Sequence, residues 1–212
     1  MRRLPVYLLL DVSGSMRGEP IAAVNAGVKA LVEALRTDPY ALETAFLSII
    51  PFNNTVEQSV PLTELYKIKP PELEAKQGTY LGKALKFLSA TAEREVVKSS
   101  KEKKGDWKPI VFIMTDGKSG DKIAKALTDF NKSLFSQIVV CAYGNEANIV
   151  DLKLITENVI RLDNIDGETI KSFFKWVSAS ISTSSHSAND NHGDEQPISD
   201  LPPLPSSFSF VI

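Results

Sequence analysis

The chain has 212 residues, of which 43% are hydrophobic and 24% are charged, values typical of one globular domain with a short extension. Its 24 basic and 26 acidic residues give a formal net charge of -2. This balance argues against nucleic acid as the main partner, because nucleic-acid binders usually carry a basic excess.

The chain begins with a short apolar run that Asp11 ends too early for a secretory signal. No stretch approaches the roughly 20 apolar residues that a membrane helix needs. The one cysteine, Cys141, lies in another apolar run and is predicted to be a buried thiol without an internal disulfide. We therefore expect a cytoplasmic protein without a membrane span.

Short apolar runs predict five strands that are buried on both faces, as a parallel sheet requires: residues 6–10, 45–50, 109–114, 138–142 and 159–162. Between several of them, apolar residues recur at three- and four-residue spacing and predict helices that pack on the sheet. The last helix is predicted over residues 167–181. Residues 52–55 predict a tight hairpin turn, followed by an antiparallel edge strand at 56–60.

These elements predict an α/β fold: a doubly wound, mostly parallel central sheet with one antiparallel edge strand and helices on both faces. Residues 98–108 are rich in lysine, which predicts a solvated loop or a patch that docks an acidic partner. The domain is predicted to span residues 1–181. Residues 182–212 are predicted to form a low-complexity linker and an apolar, proline-rich tail. That tail either folds back onto the domain or enters a partner's groove.

Oxygen-bearing side chains follow the first predicted strand directly, in the turn Asp11-Val12-Ser13-Gly14-Ser15. Thr79 stands where a helix begins, and Asp116 follows the predicted strand at 109–114. Ligands of an open parallel sheet bind beyond the carboxyl ends of its strands, so these three loops can converge. Oxygen ligands suit a hard cation, Mg²⁺ with Mn²⁺ tolerated. The predicted metal ligands are Asp11, Ser13, Ser15, Thr79 and Asp116.

The charge of this predicted site indicates what it binds. Two aspartates balance the charge of a divalent cation. If hydroxyl oxygens contact the ion and water bridges the aspartates, the metal stays electrophilic and favours an anionic oxygen at its open position. A glutamate or aspartate of another protein can supply that oxygen. Nearby, Asp121 is predicted to cap its own helix or to support the site from outside the ligand set.

The order of these motifs resembles the metal-ion-dependent adhesion site of von Willebrand factor A domains, with a DxSxS turn, then Thr79, then Thr115-Asp116-Gly117. The resemblance covers about residues 4–181, and all five motif positions match. It implies that the three hydroxyl side chains contact the ion directly and that the two aspartates act through water. It also implies a short antiparallel strand at one edge of the sheet.

A narrower resemblance rests on the strand that leads into the DxSxS turn and on segments 18–21, 38–43 and 82–85. These segments are similar to bacterial TerY-type proteins, which belong to tellurium-resistance and stress-associated clusters. The resemblance implies a cytoplasmic bacterial protein. It also implies partners among the kinases, phosphatases or other Ter proteins of such clusters.

Two other functions compete with a metal-dependent interaction module. A Mg²⁺-dependent phosphohydrolase of the haloacid dehalogenase type also has an aspartate after its first strand. That chemistry usually needs a second aspartate two residues on, and Ser13 stands there. A nucleotide switch is disfavoured because the chain has no GxxxxGK[ST] loop and no GxGxxG after a strand. The sequence thus predicts a protein that is not an enzyme, with the phosphohydrolase as the alternative.

Overall fold

A computed structural model describes residues 2–144, 147–162, 166–190, 201–206 and 208–211. Within these residues the strands are β1 Leu4–Asp11, β2 Ala45–Phe52, β3 Val60–Glu64, β4 Ile110–Thr115, β5 Gln137–Tyr143, β6 Val159–Leu162 and β7 Phe208–Phe210. They form one sheet in the order β3-β2-β1-β4-β5-β6-β7. The five central strands run parallel, and β3 and β7 are antiparallel to their neighbours.

The α-helices of the described residues are α1 Glu19–Thr37, α2 Pro39–Thr44, α3 Leu81–Glu95, α4 Ile123–Ala126, α5 Ile149–Lys153 and α6 Gly167–Asp190. The apolar faces of α1 and α6 cover one side of the sheet, and those of α3, α4 and α5 cover the other. Helices α1 and α6 approach each other closely at Gly27, where a Cβ atom would lie 2.2 Å from the Phe174 ring. This arrangement confirms the predicted doubly wound class.

Strand β1 lies in the interior of the sheet, and all eight of its residues are buried. Val6, Leu8 and Leu10 face α1 and α6, whereas Tyr7 and Leu9 face α3. Both faces are covered, which explains why this strand is a continuous apolar run. Its neighbours are β2 on one side and β4 on the other, so the winding direction reverses at the carboxyl end of β1.

The predicted edge strand at residues 56–60 is wrong in position. Val56 forms only an isolated bridge to Phe52, and regular pairing with β2 begins at Val60. The register shifts between Leu47 and Ile49, and the Ser48 hydroxyl between them donates to the Val60 carbonyl at 2.9 Å. The chain therefore loops away after the turn and rejoins β2 four residues later than a tight hairpin would.

The last helix was predicted to end at Ile181, but it continues to Asp190. Two of its buried serines donate to backbone carbonyls one turn earlier in the helix: Ser180 to Trp176 and Ser184 to Ser180, each at 2.9 Å. Part of the serine-rich segment is also buried beneath α2. A linker therefore does not begin at residue 182, and residues 191–196 of the predicted linker lie outside the described residues.

The C-terminal tail folds back onto the domain. Of the two predicted placements, the structure therefore shows this one and not an extended tail that enters a partner's groove. Leu201 and Leu204 pack against the core under α6, and Trp176 Nε1 donates to the Pro202 carbonyl at 3.0 Å. Strand β7 then pairs with β6 and gives the sheet a second antiparallel edge.

The lysine-rich segment 98–108 is largely exposed, as predicted, but its end is anchored by buried Trp107. Cys141 is buried and free. Within the part of the chain that the structure describes, no helix is long and apolar enough to cross a membrane.

Candidate metal site

Asp11 ends β1 and lies 1% exposed at the carboxyl edge of the sheet. Both of its carboxylate oxygens accept hydrogen bonds. Oδ1 accepts from the Ser13 backbone N–H at 2.9 Å, and Oδ2 accepts from Thr115 Oγ1 at 2.8 Å. The first bond shapes the turn after β1, and the second ties this turn to the end of β4. Thr115 is thus a residue of the site that the predicted ligand set did not include.

The hydroxyls of the turn form a chain that ends on the second aspartate. Ser13 Oγ and Ser15 Oγ are 2.9 Å apart, and Ser15 Oγ donates to Asp116 Oδ2 at 2.9 Å. Asp116 Oδ1 accepts from the Lys118 backbone N–H at 3.0 Å. The turn after β4 requires Gly117, whose φ of 68° lies in the left-handed region. Four of the five predicted ligands are therefore drawn together by hydrogen bonds.

Thr79 reaches the same edge through its backbone, and its hydroxyl takes no part in the hydrogen bonds that join the other four side chains. Lys76 N–H donates to the Val12 carbonyl at 2.8 Å, which holds the segment before Thr79 against the first turn. Gly120 N–H donates to the Thr79 carbonyl at 2.6 Å, which holds Thr79 against the loop of Asp116. Thr79 therefore lies between the two loops that carry the other four side chains.

Asp121 caps a different helix from the one predicted. Its two carboxylate oxygens accept from the backbone N–H groups of Gly82 and Lys83, at 3.0 and 2.8 Å. These groups belong to the first turn of α3, which begins two residues after Thr79, whereas α4 begins at Ile123. Asp121 therefore supports the site by fixing the helix that starts beside Thr79.

The electrostatics of the site favour a cation. Burial is the main cause that raises the pKa of Asp11 from 3.8 to about 6, and the charge of Asp116 raises it further. Hydrogen bonds from Ser13 and Thr115 oppose this rise. A buried carboxylate beside a second carboxylate is costly to ionise, and a bound cation would remove that cost.

The donor set also fits a hard divalent ion. All the converging side-chain atoms are carboxylate or hydroxyl oxygens, the ligands that Mg²⁺ and Mn²⁺ take in proteins. Among the described residues no three His, Cys, Asp or Glu side chains gather as ligands. A cation at this edge would therefore depend on the hydroxyls of Ser13, Ser15 and Thr79 as well as on the two aspartates.

Tyr143, at the carboxyl end of β5, is a second residue that the predicted ligand set did not include. Its side chain is 1% exposed, and within the described part of the chain its hydroxyl forms no hydrogen bond of full geometry. Burial is the main cause that raises its pKa above the ordinary value, and the charges of Asp11 and Asp116 add to it. The signal in the sequence was position alone, because Tyr143 directly follows the predicted strand at 138–142.

Comparison with known proteins identifies the family. The profile of the von Willebrand factor type A domain matches residues 6–173, so the chain belongs to this family. A search of curated proteins finds no match.

Solved structures that resemble the chain show the same fold at low identity. Proximal thread matrix protein 1 from the mussel byssus is 17% identical with a TM-score of 0.60, over 85% of this chain and 48% of that one. Another structure of that protein is described as having a zinc-occupied MIDAS motif. The pilus adhesin SpaC from Lactobacillus rhamnosus GG, in its open conformation, is 12% identical with a TM-score of 0.66, over 86% of this chain and 30% of that one. A von Willebrand factor type A protein from Catenulispora acidiphila is 16% identical with a TM-score of 0.61, over 86% of this chain and 43% of that one. The chain thus spans about half the length of these proteins or less.

Proposed function

We propose that this protein is a divalent-metal-dependent protein interaction module that holds Mg²⁺ or Mn²⁺ through Asp11, Ser13, Ser15, Thr79 and Asp116. The observation that carries the proposal is the hydrogen-bonded chain Ser13–Ser15–Asp116 beside the buried Asp11 carboxylate. These oxygens come from two loops at the point where the sheet reverses its winding, which is where ligands of such sheets bind.

The five side chains would have two different roles in binding the ion. The Ser13, Ser15 and Thr79 hydroxyls are neutral donors of oxygen lone pairs, and the two aspartates supply the balancing negative charge. When bound, the cation supplies a positive coordination position for a carboxylate oxygen of the partner. The zinc-occupied motif described for the mussel protein supports divalent-ion binding at a site of this family. Oxygen ligands alone favour Mg²⁺ or Mn²⁺ over Zn²⁺, which prefers nitrogen and sulfur.

The proposed activity is binding without turnover. The position that a phosphohydrolase would give to its acid–base carboxylate holds Ser13, whose hydroxyl contacts Ser15. The serine at this position supports an interaction module over the phosphohydrolase alternative.

The narrower proposal is a TerY-type role in a bacterial tellurium-resistance or stress response, in the cytoplasm. It rests on the similarity of the segments at 18–21, 38–43 and 82–85 to those proteins. The free, buried Cys141 thiol is compatible with a reducing compartment. The proposed partners are kinases, phosphatases or other Ter proteins that present an exposed glutamate or aspartate.

The test is an affinity purification with the full chain as bait, in EDTA and in buffer with Mg²⁺ or Mn²⁺, followed by mass spectrometry. We expect partners that are retained only with metal and are lost with Asp116→Ala. Asp129→Ala is the matched control, because Asp129 is an exposed aspartate paired with Lys86 away from the site. Retention of the same partners by a folded Asp116→Ala variant, or in EDTA, would argue against the proposal.

A further inference from the structure

The Tyr143 hydroxyl is a buried polar group without a full hydrogen bond to any described residue. Its side chain is 1% exposed, yet the oxygen forms no hydrogen bond of full geometry with any described residue. Buried hydroxyls almost always have one, because an unmade hydrogen bond costs the desolvation of the group. A phenylalanine would pack in the same place without that cost. Among the described residues, the hydroxyl therefore lacks a partner with full hydrogen-bond geometry.

The sheet register places this hydroxyl beside the candidate metal site. Strand β4 pairs with β5 so that Met114 lies opposite Cys141 and Thr115 lies opposite Ala142. Continuing this register puts Asp116 beside Tyr143. Met114, Cys141 and Tyr143 all belong to the core that faces α1 and α6. Side chains alternate along a strand, so Asp116 emerges on this same face, where it meets Ser15.

The environment of the hydroxyl agrees with that placement. The charges of Asp11 and Asp116 both raise the Tyr143 pKa, and polar contacts with the Ser13 and Ser15 hydroxyls, which do not reach full hydrogen-bond geometry, lower it. The Tyr143 oxygen is therefore near the side chains that we assign to the ion. Asp116 already accepts two hydrogen bonds, from Ser15 Oγ and from the Lys118 N–H. Burial excludes Tyr143 from direct contact with a partner protein.

We propose that Tyr143 is a positioning residue of the metal site whose hydroxyl donates a hydrogen bond to a water molecule of the bound cation. This inference rests on the proposed function. Mg²⁺ keeps several of its waters in proteins, and a buried water needs two to four polar partners. The aspartates and Tyr143 together supply such partners on the inner side of the site. The outer side is left to the carboxylate of the partner protein.

The experiment compares Tyr143→Phe with the wild type and with Tyr7→Phe. Tyr7 is also buried in the sheet, but its hydroxyl is partnered by Glu95 Oε2 at 3.3 Å, on the α3 side. Three quantities are measured: the melting temperature in EDTA, the Kd for Mn²⁺, and the water-proton relaxation of the Mn²⁺ complex.

For Tyr143→Phe we expect an unchanged or higher melting temperature in EDTA, because an unpartnered buried hydroxyl is removed. We expect its Kd for Mn²⁺ to rise about tenfold, as for other residues that orient metal ligands indirectly. The water-proton relaxation of its Mn²⁺ complex should also differ from that of the wild type. For Tyr7→Phe we expect the opposite pattern: a lower melting temperature in EDTA and an unchanged Mn²⁺ Kd.

The outcomes separate the two proposals. If the wild type binds Mn²⁺ and Tyr143→Phe binds it equally well with the same relaxation, this inference is overturned and the proposed function stands. A lower melting temperature of Tyr143→Phe in EDTA would also overturn it, because the hydroxyl would then have a partner in the metal-free protein. If the wild type binds neither Mn²⁺ nor Mg²⁺, both proposals fail.

Discussion

Asp11→Asn is expected to stabilise the metal-free protein near neutral pH while abolishing its response to metal. Burial raises the pKa of Asp11 from 3.8 to about 6, so the folded state holds this proton more tightly than the unfolded chain does. At roughly 1.4 kcal/mol for each pH unit between the two values, the ionised side chain costs about 3 kcal/mol at pH 7.5. Asparagine has the same shape and no charge.

The sign of the pH dependence follows from the direction of the shift. A raised folded-state pKa means that the favourable contribution of protonated Asp11 is complete below pH 3.8 and is lost as the pH rises through about 6. Between pH 4.5 and 7.5 the wild type should therefore lose about 2 kcal/mol of stability that Asp11→Asn retains. Any loss of hydrogen bonding to Thr115 lowers the variant equally at both pH values, so the difference between the two pH values isolates the charge.

The assay is urea denaturation of both proteins in EDTA at the two pH values, repeated at pH 7.5 with excess Mg²⁺. Magnesium should stabilise the wild type and not the variant, because metal binding adds stability only to a protein with the site. In addition, the Mg²⁺ affinity of the wild type should weaken below pH 6, where protons compete for Asp11. Parallel pH dependences of the two proteins in EDTA would refute the claim that Asp11 is a costly buried charge.

Three further predictions concern the support of the site and the fold. Gly27→Ala should lower the free energy of unfolding by about 1–3 kcal/mol, because its Cβ would overlap the Phe174 ring; denaturation equal to the wild type would show that α1 and α6 can separate freely. Asp121→Ala should lower the free energy of unfolding by about 1 kcal/mol and weaken Mn²⁺ binding, because the start of α3 loses its cap. The control Asp129→Ala should change neither quantity. Unchanged Mn²⁺ binding by Asp121→Ala would show that the start of α3 does not support the site. Removing residues 201–212 uncovers the edge of β6 and should speed its amide exchange; unchanged exchange of β6 would contradict the observed pairing with β7.

The central sheet and most of the site could be predicted from the sequence because their signals are local. Strands covered on both faces must be apolar throughout, and the run at 6–10 had this property in full. The DxSxS turn and Asp116 directly follow two such strands, and carboxyl ends of parallel strands share one edge. Those two facts sufficed to bring Asp11, Ser13, Ser15 and Asp116 together.

The remaining features depend on contacts between distant segments, which no local pattern records. Residues 182–190 of α6 were predicted as linker because their composition is polar, yet Ser184 donates to the Ser180 carbonyl, and both Ser184 and Ser185 are buried. Asp121 caps α3 rather than its own helix, because the two loops meet only in the folded chain. Likewise, only the packing of β5 beside β4 shows that the Tyr143 hydroxyl is buried without a full hydrogen bond to any described residue. Local composition determined the elements and the ligand types, and tertiary packing decided the partner of each polar group, because burial and hydrogen bonding are properties of the assembled chain.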